Sequence, residues 1–202
     1  MHLAIPSSSN HGDLPQHSLA SLSLELKAMK TAMTILAAFG FIPLLNVTGA
    51  LAAAPPTVAT VTLSPASGSN VRGMVKFIQE KDGIRVEAEI TGLSPGKHGF
   101  HIHEKGDCSA PDASSAGGHF NPSGMPHAGP TDHQRHVGDF GNLEADGSGK
   151  AKYSRSFPDL KLAGETSIVG KAVIVHAKPD DLKTQPSGDA GGRVACGVIE
   201  KK

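Results

Sequence analysis

The chain has 202 residues, a formal net charge of zero, 38% hydrophobic and 4% aromatic content, 24 glycines and no tryptophan. That length suits one domain with an appended segment, and balanced charge without a basic stripe or acidic block argues against a nucleic-acid or membrane-surface partner. A core of Val, Ile, Leu and Ala among many glycines fits short strands and turns better than long helices.

Residues 1–28 are polar, rich in serine and without sustained period, and no function is assigned to them. From Met29 the character changes. Lys30 supplies a positive start, residues 34–45 form an apolar run broken by Gly40 and Pro43, and small residues at 50–54 precede Pro55-Pro56. This is the three-part layout of a signal peptide over 29–54, with cleavage near Ala52 or Ala54. The run is shorter than the roughly 20 apolar residues a spanning helix needs, so cleavage is expected and no stable membrane span. A signal that begins at an internal methionine places the true start at Met29 and makes residues 1–28 an extension from a mis-set start. The mature domain then covers 55–202.

That domain reads as β. Residues 83–90 alternate, with Ile84, Val86, Ala88 and Ile90 on one face and Arg85, Glu87 and Glu89 on the other. A period of two with one wet face is the mark of an antiparallel strand. Val71, Val75 and Phe77 repeat it, and Asp82-Gly83 forms the hairpin turn between. Residues 57–63 and 149–157 are weaker strand candidates. Residues 168–175 are nearly all apolar, as expected of a strand covered on both faces. The expected fold is all-β: a flattened barrel or sandwich of about eight antiparallel strands. Two segments interrupt it, 104–137 and 177–192, both rich in Gly, Pro, Asp and Ser. Loops this long are uncommon in compact domains unless functional or disordered. Both begin just after a histidine-bearing strand end, which favours function.

His101-Ile102-His103 sends two imidazoles to one face of a strand end while Phe100 and Ile102 turn to the core. Two such rings can share one metal. His119, His127, His136 and Asp139 follow, three imidazoles and a carboxylate within twenty-one residues. Such a set can close a tetrahedral zinc site whose negative ligand offsets the cation. Pro122, Pro126 and Pro130 stiffen the connection, and Gly117-Gly118 permit close backbone approach. For any one of these histidines solvent exposure is the default reading; for all of them together it is not. Cys108 and Cys196 leave three possibilities open: two buried thiols, one disulfide, or metal ligands.

From about residue 57 to 199 the chain resembles copper/zinc superoxide dismutases. The matching words are GFHIH at 99–103, GGHFNP at 117–122, RHVGDFGN at 135–142, VIVHAKPDDL at 173–182 and GGRVACGVI at 191–199, in the family's order. The resemblance implies a Greek-key β-barrel and dismutation of superoxide to oxygen and hydrogen peroxide, with one copper and one zinc per chain. It places His101, His103, His119 and His176 on copper, and His119, His127, His136 and Asp139 on zinc, with His119 as the bridge. Asp180 matches the carboxylate that links a zinc histidine to a copper histidine. Arg193 matches the guanidinium that docks the anion, so His119 and Arg193 are the candidate catalytic pair. Cys108 and Cys196 match the intrasubunit disulfide.

The signal segment, the short 177–192 loop and the early Cys108 resemble the bacterial exported branch, which implies a periplasmic or secreted protein guarding the cell envelope. His98 is expected to be a structural hydrogen-bonding group and His133 a solvated one. Asp189 adds negative charge where asparagine is common, and Lys201-Lys202 put charge where cytosolic members place an apolar dimer contact, leaving homodimer or monomer open. The competing reading is a non-catalytic copper/zinc buffer or chaperone of the same fold. Against it stand His101, His103, His119, His176 and Arg193, all present.

Overall fold

The computed structural model describes residues 57–202; the proposed signal peptide and the extension before it lie outside the described residues. Nine strands form among the described residues: β1 (Val58–Pro65), β2 (Arg72–Glu80), β3 (Gly83–Thr91), β4 (Gly96–His103), β5 (Asp139–Ala145), β6 (Ala151–Phe157), β7 (Ala172–His176), β8 (Arg193–Val198) and β9 (Glu200–Lys201). Their order is β2-β3-β6-β5-β4-β7-β8-β1-β9, and β1 also pairs with β2, so the sheet closes into an antiparallel barrel. Closure removes the free edges that would otherwise invite association. Two crossovers, β3 to β4 and β6 to β7, produce the Greek-key path.

The alternation read from the sequence holds. Ile84, Val86, Ala88 and Ile90 are buried, and the hairpin register runs from Glu80↔Gly83 to Arg72↔Thr91. Phe77, Phe100, Phe140 and Phe157 fill the centre, the Phe140 ring lying 4.8 Å from Phe157 and 5.4 Å from Phe100. A few tilted aromatic contacts therefore supply the bulk that tryptophan would in other cores. Strand β7 is buried at every position. Val173 and Val175 pack in the main core, whereas Ala172 and Ile174 join Ala66, Ala113, Ala116 and Cys196 in a second cluster under the long loop.

Two expectations shift. The strand placed at 168–175 begins only at Ala172, because Gly170, at φ 80, turns the chain while Ile168 stays buried without pairing. The strand placed at 149–157 begins at Ala151, after a turn in which Asp146 accepts from the Ser148 and Lys150 N–H groups.

Candidate metal centre

Four strand ends and two loops meet at one side of the barrel. His101 and His103 end β4, His176 ends β7, Asp139 opens β5 and Arg193 opens β8. A register shift between Gly99 and His101 sets His101 opposite Asp139, and a second beside His176 sets it opposite Arg193. The 104–137 segment returns as a bridge between His103 and His119. The Ile102 carbonyl accepts from Phe120 N–H, the Ile102 N–H donates to Gly138, and Gly138 N–H donates to Phe120. A side chain at Gly138 would collide with the Ile102 carbonyl, so this three-way lacing needs glycine there.

The rings fall into two sets joined by one residue. Donor atoms of His101, His103, His119 and His176 lie within 4.8 Å of one another, as do those of His119, His127, His136 and Asp139. All are buried. Hydrogen bonds from the far nitrogens fix which atom each ring offers. His103 Nδ1 donates to the Gly117 carbonyl (2.9 Å), His176 Nδ1 to the Gly191 carbonyl (3.0 Å) and His101 Nε2 to Asp180 Oδ2 (2.8 Å). The free atoms are then His103 Nε2, His176 Nε2 and His101 Nδ1, the first two 3.4 Å apart. His101 Nδ1 and His119 Nε2 are buried without a partner, a costly arrangement unless a cation completes it.

In the other set, His119 Nδ1 and His127 Nδ1 lie 2.9 and 3.1 Å from Asp139 Oδ1, the latter without hydrogen-bond geometry. His136 Nδ1 lies 3.3 Å from both Asp139 Oδ1 and His119 Nδ1. A tetrahedral zinc with bonds of about 2.0–2.1 Å has donor–donor edges of about 3.3 Å, so these separations fit the ion. Asp139 Oδ2 is occupied by the N–H groups of Ala128 and His136, which leaves Oδ1 as the donor.

Asp180 links the sets. Its Oδ2 bonds His101 and its Oδ1 accepts from His127 Nε2 at 2.9 Å and from Leu182 N–H. Gly188 is squeezed against Asp180 Oδ1 and His127 Nε2 with φ +69, so no side chain fits there. Burial opposes ionisation of both Asp139 and Asp180, but hydrogen bonds from His119 and His127 on the first, and from His101, His127 and Leu182 on the second, hold each well below the usual carboxylate range. Burial also lowers His127, yet Asp139 and Asp180 together outweigh it and push the ring up to about 9. Burial wins at His101, lowered to about 4, and at His176, lowered to about 3.

A groove of about 420 Å³ opens onto His103, His119, His176 and Arg193, with Pro186 and Ser187 on its wall. A larger one, about 510 Å³, crosses the outer face of β2, β3 and β6 between charged side chains. None of its lining residues belongs to either donor set, so volume alone does not mark the site. Arg193 Nη1 and Nη2 each donate to a loop carbonyl at 2.6 Å, of Ala113 and Gly117. The Cys108–Cys196 disulfide ties that loop to β8. Asp189 is exposed, with φ 49, and does not line the groove. His133 is exposed, and His98 is buried with Nδ1 against the His176 carbonyl at 2.8 Å.

Sequence reasoning missed three supports. Asn142 brackets the main chain of Asp180, accepting its N–H at 2.7 Å and donating to its carbonyl at 2.9 Å. Arg135, buried, donates to the His136 and Val137 carbonyls and pairs with both oxygens of Asp159 at 2.8 Å. Gln185 bonds the main chain of His127. Asn142 and Arg135 sat inside a quoted motif; Gln185 had no mark at all.

Residues 71–199 match the family model described as copper/zinc superoxide dismutase. The chain is 47% identical over 141 residues to superoxide dismutase [Cu-Zn] A of Xenopus laevis, covering 66% of this chain and 92% of that one. It is 40% identical over 152 residues to an extracellular superoxide dismutase [Cu-Zn] of Brugia pahangi, covering 71% and 76%. Among solved structures, the crystal structure of the clock protein EA4 superposes with a TM-score of 0.65 at 42% identity, covering 73% of this chain and 96% of that one.

Proposed function

The chain belongs to the copper/zinc superoxide dismutase family and is an oxidoreductase that dismutes superoxide at a histidine-bridged copper/zinc site; from that premise we propose the role of each residue. His101 Nδ1, His103 Nε2, His119 Nε2 and His176 Nε2 would hold copper. His119 Nδ1, His127 Nδ1, His136 Nδ1 and Asp139 Oδ1 would hold zinc. The observation that carries this reading is His119 itself, whose two ring nitrogens belong one to each donor set. Copper, when bound, supplies the one-electron exchange that redox-silent zinc cannot.

The protein's own groups do the rest. Arg193 places positive charge in the groove and draws the small anion toward the copper-side rings. Two of its N–H groups are spent on loop carbonyls, which fixes the guanidinium plane and leaves other donors for superoxide. One superoxide leaves as oxygen and a second, reduced, needs protons to leave as hydrogen peroxide. His119 lines the groove, and its Nε2, when free of metal, would be the atom that takes up a proton and returns it to the reduced superoxide, water supplying the second. Asp180 keeps His101 and His127 oriented through their Nε2 atoms. A merely metal-storing protein has no use for Arg193 in the groove.

Export is part of the proposal. A signal at 29–54 followed by a mature domain from 55, delivered to the periplasm or the outside, accords with a disulfide that persists in oxidising compartments and with the extracellular Brugia relative. No helix among the described residues is long and apolar enough to cross a membrane. The test is metal analysis of the purified protein beside a superoxide-consumption assay, with His119→Ala and His176→Ala. One copper and one zinc per chain, with activity lost in both variants, is expected; activity surviving loss of His176 would overturn the assignment.

A further inference from the structure

Gln185 is exposed, yet its amide is fully engaged. Its Oε1 accepts the His127 N–H at 2.7 Å, and its Nε2 donates to the His127 carbonyl at 2.8 Å and to the Lys183 carbonyl at 3.1 Å. An amide offers two donors and an acceptor, so both donors are used. An exposed glutamine ordinarily leaves its amide to water and keeps its rotamer freedom; holding it in one pose costs entropy that these bonds must offset.

The segment that presents Gln185 is itself braced. Asp181 accepts from the N–H groups of Lys183 and Thr184 and from the Thr184 hydroxyl, while Gly188 N–H donates to Thr184 and the Gly188 carbonyl accepts from Asp181 N–H. His127 is therefore held at two places by one loop: its ring by Asp180 and its main chain, in both directions, by Gln185. The next two residues, Pro186 and Ser187, form the groove wall.

We propose that Gln185 is a positioning residue of the zinc site, fixing the main chain of His127 and docking the groove wall at Pro186 and Ser187 onto the zinc-binding loop. The proposal rests on the assignment of His127 as a zinc ligand. Neither alanine nor glutamate can replace the amide: alanine removes every bond, and glutamate keeps the shape and one acceptor but loses both donors facing carbonyls.

The experiment measures zinc(II) affinity by chelator competition, and the ligand-field spectrum with cobalt(II) in the zinc position, for wild type, Gln185→Ala and Gln185→Glu. Loss of a residue that orients a ligand typically weakens metal binding about 10- to 100-fold, and that loss is expected in both variants with altered cobalt bands and copper affinity within about twofold of wild type. Superimposable spectra with unchanged zinc affinity, or a glutamate variant indistinguishable from wild type, would overturn it. Equal weakening of both metals, or a large drop in apoprotein melting temperature, would also count against it by showing a general structural role. If wild type itself failed to take up zinc, the ligand assignment would fall rather than the role of Gln185.

Discussion

Replacing both Cys108 and Cys196 with serine should separate what the disulfide does for stability from what it does for the site. The bridge spans 88 residues of sequence. In the chain-entropy model a loop of that size removes about 4.6 kcal/mol of freedom from the denatured ensemble, with measured losses for native bridges of about 2–5 kcal/mol. Apolar packing beneath this part of the loop is thin, since the cluster there is made mostly of alanines: Ala66, Ala113, Ala116 and Ala172 beside Ile174 and Cys196. At roughly 2–4 °C per kcal/mol for a domain of this size, a melting-temperature drop of about 9–18 °C is expected by calorimetry. The loop also carries the Ala113 and Gly117 carbonyls that hold Arg193. Superoxide turnover should therefore fall at temperatures where the variant is fully folded and fully loaded with metal. A melting temperature changed by less than about 3 °C would refute the entropic argument. Full activity in the folded variant would refute the claim that the bridged loop positions Arg193.

Arg193→Ala should lower kcat/KM by about 10- to 1000-fold and flatten its dependence on ionic strength, whereas Arg193→Lys keeps charge but not the paired carbonyl contacts and should retain the salt dependence at reduced rate; stopped-flow superoxide decay at several salt concentrations reads both. Asp180→Asn sets an amide between two ring N–H groups that each need an acceptor; zinc affinity should fall about 10- to 100-fold, and unchanged chelator competition would contradict the linking role. Zinc uptake should also depend on pH. His127 stands at about 9 in the apoprotein, above its ordinary 6.5, so its charged form stabilises the apo fold fully below about pH 6.5 and that contribution fades as pH rises through about 9. Zinc must displace that proton, so its apparent affinity should rise about tenfold per pH unit from about pH 7 to 9. His101, at about 4, and His176, at about 3, are already neutral there, and copper uptake should show no such slope. Zinc titrations at constant ionic strength that came out flat with pH would contradict the charged pairing of His127 with Asp139 and Asp180.

How much of this was legible depends on what leaves a periodic trace. The hairpin from β2 to β3 was readable because one face is wet, so Ile84 to Ile90 alternate against Arg85, Glu87 and Glu89. Strand β5 was not, because its residues Asp139 to Gly141 are all buried between barrel and loops and the alternation is gone. The run at 168–175 misled for a related reason: apolar residues mark burial, and Ile168 is buried in a turn. The histidine spacing alone pointed to metal; the partners Asp180, Arg193 and the cysteine pairing came from family resemblance, since they lie far away in sequence. Asn142 and Gln185 act through side-chain bonds to main chain, which impose no spacing on the sequence.

The two metal sets differ in what holds them, and that difference orders their robustness. His101, His103 and His176 stand at the ends of β4 and β7, which pair with each other and, on their other sides, with β5 and β8. Their geometry follows from the register of buried strands. On the zinc side only Asp139 stands on a strand, while His119, His127 and His136 belong to the 104–137 loop. The anchors that structure adds beyond the strands fall mainly there: Arg135 under His136, Gln185 beside His127, and Asp180, itself bracketed by Asn142, against the His127 ring. A loop of this length pays backbone entropy that strand ends do not, so its ligands need bonds from a second loop to stay in place. The zinc position is thus the one whose geometry depends on contacts between loops.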